Sequence, residues 1–87
     1  MFNVKYSDGV FKQLSKMDKK VSSMIYRWIE TNLIYCEDPR TFGKALTGEF
    51  KSFWRYRVGA YRIIAKIQDN ELLIEIINVG HRRNIYH

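Results

Sequence analysis

With 87 residues, 46% of them hydrophobic and 15% aromatic, the chain can bury one small core, which excludes disorder and leads us to expect one domain over residues 1–87. No apolar run approaches the roughly 20 residues of a membrane helix, the N-terminus has neither region of a signal peptide, and Cys36, the single cysteine, excludes an internal disulfide and a cysteine-based zinc site. A soluble, unprocessed, cytoplasmic protein is expected, and 15 Lys plus Arg against 9 Asp plus Glu give a net charge of +6 that favours a polyanionic partner.

Phe2, Val4 and Tyr6 alternate with polar residues, which predicts a half-buried strand. Ser7 or Asp8 can cap a short helix with Val10, Phe11, Leu14 and Met17 on its apolar face. Asp18 can cap a second helix running to about Leu33 on Val21, Met24, Ile25, Trp28 and Ile29, with Met24 and Trp28 expected in the core. Asp38-Pro39 marks a loop, because the residue before proline is pushed out of helical geometry. Gly43 and Gly48 bracket a segment from Lys44 to Thr47 that reads as one helical turn or as loop.

From Phe53 the period becomes two. Trp54, Tyr56 and Val58 share one face, Phe53, Arg55 and Arg57 the other. Gly59-Ala60 reads as a two-residue hairpin turn in which glycine supplies a positive φ, and the return strand carries Arg62 and Lys66 opposite Tyr61, Ile63, Ala65 and Ile67. After a second turn at Asp69-Asn70, the nearly continuous apolar run Leu72 to Val79 predicts a central strand. The order predicts an α+β domain: an N-terminal strand, a two-helix hairpin, then an antiparallel three-strand meander with the helices packed on one sheet face. Ile64 and part of the last strand point to the other face, where a partner or a loop of the same chain is expected to cover them.

From Lys51 to Ile67 the chain carries Lys51, Arg55, Arg57, Arg62 and Lys66 with no acid. RNA cleavage without a metal uses the neighbouring 2′-hydroxyl as nucleophile, so a protein must hold the phosphate, neutralise added charge and move two protons. Arginine suits the first two tasks through its planar, permanently charged fork. Arg55, Arg57 and Arg62 can converge across the tight turn. The tail from Gly80 holds His81, Arg82, Arg83, Tyr86 and His87 and no acid, and both histidines can transfer protons near neutrality. No glycine-rich phosphate loop and no metal-binding histidine pair is present, so neither a metal site nor a cofactor is expected.

Gly43-Lys44-Ala45-Leu46-x-Gly48, Trp54-Arg55-Tyr56-Arg57-Val58-Gly59-x-Tyr61-Arg62 and Val79-Gly80-His81-Arg82-Arg83-x-Ile85-Tyr86 resemble the RelE/ParE toxin superfamily, and its RelE-like branch in particular. The resemblance implies the RelE-like microdomain fold and a toxin of a type II toxin–antitoxin system, wrapped by an acidic or amphipathic segment of its antitoxin. It further implies a metal-independent endoribonuclease, an mRNA interferase, that enters the ribosomal A site and cleaves the codon there. DNA would be met only indirectly, through the antitoxin complex, and no membrane is implied. Carried over, Arg62 is the transition-state arginine, Arg82 the arginine after the last strand and Tyr86 the C-terminal tyrosine, its spacing from Arg82 differing by one residue from the best-known member. Arg55 and Arg57 match the basic pair on the first hairpin strand, and Lys44, Lys51 and Arg83 complete the expected RNA-binding set. That best-known member has lysines where this chain has arginines, and arginine cannot give up a proton, so His81 or Tyr86 is left to transfer it. Two alternatives are a ParE-like toxin that poisons gyrase by binding, and an inactive toxin that serves as corepressor with its antitoxin.

Overall fold

The computed structural model describes residues 1–48 and 52–81 and runs β1 (Asn3–Tyr6), α1 (Asp8–Ser15), α2 (Lys19–Asn32), β2 (Lys44–Ala45), β3 (Trp54–Val58), β4 (Tyr61–Gln68) and β5 (Leu73–His81). Both helices start where a side chain satisfies a free backbone donor: Ser7 accepts from the Val10 N–H, and Asp18 from the Lys20 N–H at 2.8 Å. Their apolar stripes bury Val10 and Leu14 on α1 and Ile25 and Ile29 on α2. These residues meet Tyr56, Val58, Ile63, Ala65, Ile74, Ile76 and Val79 from one side of the sheet, which is therefore the helix-covered face. Each such side chain contributes about 1.5–3 kcal/mol when fully buried.

The five strands lie in the order β1-β5-β4-β3-β2. β1 pairs parallel with β5 and every other pair is antiparallel, so the expected antiparallel meander of β3, β4 and β5 sits in a mixed sheet. The cause is topological. The helices carry the chain from one edge to the other, and after three reversals β5 arrives beside β1 running in its direction. β5 thus lies between β1 and β4, and β4 is the middle strand of the five.

Local departures from expectation have identifiable causes. Lys44–Ala45 is neither helix nor plain loop but an edge strand, held to β3 with Lys44 opposite Arg55 and Ala45 opposite Trp54. Leu72 is not in a strand: it ends a 3-10 turn over Asp69–Glu71 in the left-handed region (φ 50°), and β5 begins one residue later and continues to His81. Met24 and Phe11 sit at the border of their helical stripes, and 41% and 50% of their surface stays exposed. Trp28 packs inward on Tyr56, ring centroids 5.4 Å apart. Ile64, on the face away from the helices, is only 5% exposed, so the chain itself covers this position.

Two tethers finish the sheet. Beyond Ile76, where β1 has ended, the Gln13 side chain takes the place of a neighbouring strand: its Oε1 accepts from the Val79 N–H at 2.9 Å and its Nε2 donates to Asn78 Oδ1 at 2.7 Å. Arg40 donates to both carboxylate oxygens of Asp69 at 2.9 Å, pinning the loop after α2 to the β4–β5 turn and holding the Asp69 carboxyl below its usual range.

Tyr6 packs against Phe11 and Tyr26, both at centroid distances of 5.5 Å. Burial, then the nearby Tyr26 and Glu30, push the Tyr6 phenol up to about 12 from an ordinary 10.0. A raised folded-state value means stability that is complete below the unfolded value near 10 and lost as pH climbs through about 12. Tyr6→Phe should therefore show a smaller alkaline decline than the native chain across that window in urea titrations, and identical declines would refute the assignment.

Candidate nucleic-acid interface

Strand pairing decides which side chains share the uncovered face. Across the β3–β4 hairpin, Arg55 lies opposite Ile64, Arg57 opposite Arg62, and Val58 opposite Tyr61. Val58, Gly59, Ala60 and Tyr61 form the two-residue turn, with Gly59 at φ 60° as that turn requires. In such a hairpin the pair next to the closing pair is non-hydrogen-bonded, with Cα atoms about 4.5 Å apart and side chains at their closest. Arg57 and Arg62 occupy that position. Two like charges directly opposite each other destabilise a sheet by roughly 0.2–1 kcal/mol.

Lys44, by its pairing with Arg55, extends the same face onto β2, and Lys66 extends it along β4. The charge is not uniform. Lys66 and Lys5 both lie opposite Glu75, so at that end of the sheet an acid sits between two lysines. At the hairpin end, Lys44, Arg55, Arg57 and Arg62 meet no carboxylate among their cross-strand partners. Arg57 is exposed, while Arg55 and Arg62 are half-buried against the sheet.

A bulge then sets the end of β5. Ala65 pairs with Ile76 but Ile64 pairs with Asn78, so Ile77 is an extra residue and the alternation of β5 shifts by one. Val79 consequently faces the core, and Gly80, opposite Arg62, faces the arginines. His81 pairs with Tyr61 and sets its ring against it, centroids 5.5 Å apart at 79°, on the helix-covered side and away from Arg62. Lys51, Arg82, Arg83 and Tyr86 lie outside the described residues. Gly80 and Lys66 were absent from the expected site set. For Lys66 the signal was its parity with Arg62, whereas Gly80 could not be placed without knowing of the bulge.

The frame beneath the arginines is rigid. The Tyr56 hydroxyl donates to the Pro39 carbonyl at 2.5 Å, and Trp54 Nε1 donates to the Phe42 carbonyl at 2.7 Å, so two core-side aromatic tips strap the loop onto β3. Phe42 in turn contacts Trp28, centroids 5.9 Å apart, and Arg40 lies over the Trp54 ring at 5.9 Å. Burial raises the Tyr56 phenol well above its ordinary value, so it stays a hydrogen-bond donor.

A small α+β fold with an arginine-bearing sheet face opposite its helices defines a class, and comparison with known proteins places the chain within it. A family model described as the ParE toxin of type II toxin–antitoxin systems, parDE, matches residues 4–86, and the chain belongs to that family, within the RelE/ParE superfamily. Toxin RelG of Mycobacterium tuberculosis is 25% identical over 85 residues, covering 98% of this chain and 95% of its own. The fold is that of the toxin in the RelBE2 toxin–antitoxin complex of Mycobacterium tuberculosis, with a TM-score of 0.84 at 23% identity over 95% of this chain and 93% of that one. It is likewise that of the isolated E. coli RelE toxin, with a TM-score of 0.73 at 18% identity over 93% and 84% of the two chains.

Proposed function

We propose that the chain is the toxin of a type II toxin–antitoxin pair and acts as a ribosome-dependent, metal-independent endoribonuclease on mRNA in the A site. The observation that carries this reading is the Arg57–Arg62 pair, held opposite each other on the sheet face away from the helices with Arg55 and Lys44 beside it. Four cations gathered on three adjacent strands suit a phosphate, whose oxygens accept from guanidinium and ammonium donors.

In the proposed reaction the ribose 2′-oxygen bonds to phosphorus while the bond from phosphorus to the 5′-oxygen breaks, leaving a 2′,3′-cyclic phosphate and a 5′-hydroxyl. The 2′-hydroxyl gives up a proton and the departing 5′-oxygen gains one. Arg62 and Arg82 clamp the phosphate and neutralise its added charge, while Arg55, Arg57, Lys44, Lys51 and Arg83 orient the RNA. Of the two candidates for proton transfer, Tyr86 is favoured, because the His81 ring turns toward Tyr61 on the other face.

The family model that matches bears the ParE name, which keeps gyrase binding as a second reading. Primer extension on translated mRNA and a gyrase supercoiling assay, run on the same preparation, separate the two. Cuts within codons with supercoiling intact are expected, and blocked supercoiling with uncut mRNA would overturn the nuclease reading. Structures of RelE-type toxins with RelB antitoxins, such as that from Pyrococcus horikoshii, motivate a cognate antitoxin here too. The open groove along α2, with Lys19, Lys20 and Arg27 around Met24, Trp28 and Val58, suits an acidic amphipathic segment.

A further inference from the structure

Glycine inside a strand weakens it, and it is kept for one of three reasons: a backbone angle that other residues avoid, a crowding neighbour in the same protein, or a ligand that comes close to the backbone. The first two account for Gly59 and Gly43. Gly59 has φ 60° in the hairpin turn, and Gly43 has φ 82° with a backbone oxygen 2.2 Å from where its Cβ would stand. Neither applies to Gly80. Its φ lies outside the left-handed region, and a Cβ built on it meets no atom of the described residues within 4 Å.

The third reason has a matching location. Gly80 is the next-to-last residue of β5, directly across from Arg62, which is itself directly across from Arg57. The row across three strands therefore reads guanidinium, guanidinium, empty notch. On the far side of the notch β1 has already ended, at Tyr6, so that side is not walled by a strand.

We propose that Gly80 is the floor of the scissile subsite, where a ribose-phosphate unit of the RNA lies directly on the β5 backbone while Arg62 grips its phosphate from the adjacent strand. The ligand, and not the fold, keeps this position free of a side chain. This inference rests on the nuclease reading and adds to it a contact that has no charge and no hydrogen-bonding side chain.

The test is a size series, Gly80→Ala and Gly80→Val in the full chain, measured by ribosome-dependent cleavage, by binding to a single-stranded RNA oligonucleotide and by thermal melting, with Arg62→Ala alongside. The expected result is a melting temperature unchanged or raised in both glycine variants, because valine favours strands. Cleavage should fall a few-fold with alanine and on the order of a hundredfold with valine, the scale of an ångström-sized misplacement of a reacting group. A folded valine variant that cuts and binds RNA as the native chain does overturns the proposal. If valine disturbs folding, the alanine variant decides, and native cleavage by it has the same consequence. Loss in Arg62→Ala with full activity in Gly80→Val removes the Gly80 subsite alone. A native chain that neither cuts nor binds RNA, or an Arg62→Ala variant as active as the native chain, removes the nuclease reading and the subsite with it.

Discussion

Arg62→Ala is expected to lower ribosome-dependent cleavage by about a hundredfold or more while leaving the fold intact, the scale seen when a donor to a developing oxyanion is removed. The fold should survive because Arg62 is not part of the apolar core cluster and its strand is held by Ile63 and Ala65 on the other face. Arg62→Lys separates two contributions: it keeps the charge but loses the planar fork, so a rate between those of alanine and arginine is expected. Primer extension for the rate and a thermal melt for the fold check both statements. Native rates in the alanine variant would refute a role for Arg62 at the phosphate.

The sequence made the local features legible and left the nonlocal ones hidden. Ser7 and Asp18 cap their helices because a short polar side chain before an apolar stripe satisfies a backbone donor wherever it occurs. Gly59 marks the hairpin turn for an equally local reason, its positive φ. The parallel pairing of β1 with β5 joins residues some 70 positions apart and leaves no local trace. Helical spacing found the buried stripe of α2 but could not tell how far the sheet extends beneath it, and Met24 falls at the rim. The arginine face was readable because Arg55, Arg57 and Arg62 are separated only by a tight turn. The far wall of that face was not. Strict alternation from Ile74 and Ile76 would turn residue 80 to the core and residue 81 to the open face, and the bulge at Ile77 reverses both. One inserted residue therefore moves the imidazole of His81 away from Arg62 and brings a glycine in its place.

The second large effect is structural. Gly43→Ala should destabilise the protein by about 3 kcal/mol, more than its one methyl group suggests. At φ 82° any Cβ is strained, and here it would stand 2.2 Å from the Arg55 carbonyl oxygen and 2.7 Å from Trp54 Nε1. The first is backbone within the sheet, and the second is fixed by its bond to Phe42, so neither can retreat cheaply. The loop must lift from β3, which breaks the pairing of Lys44 with Arg55 and removes one cation from the proposed RNA face. For a chain of this size the melting temperature should drop by about 10 °C or more. Gly48→Ala is the control, since Gly48 also has a positive φ (66°) but no atom of the described residues within 4 Å of its Cβ, and it should cost only about 1–2 kcal/mol. Equal melting temperatures for the two variants would mean that the close approach of Gly43 to β3 does not hold the loop, and that Lys44 reaches Arg55 by some other constraint.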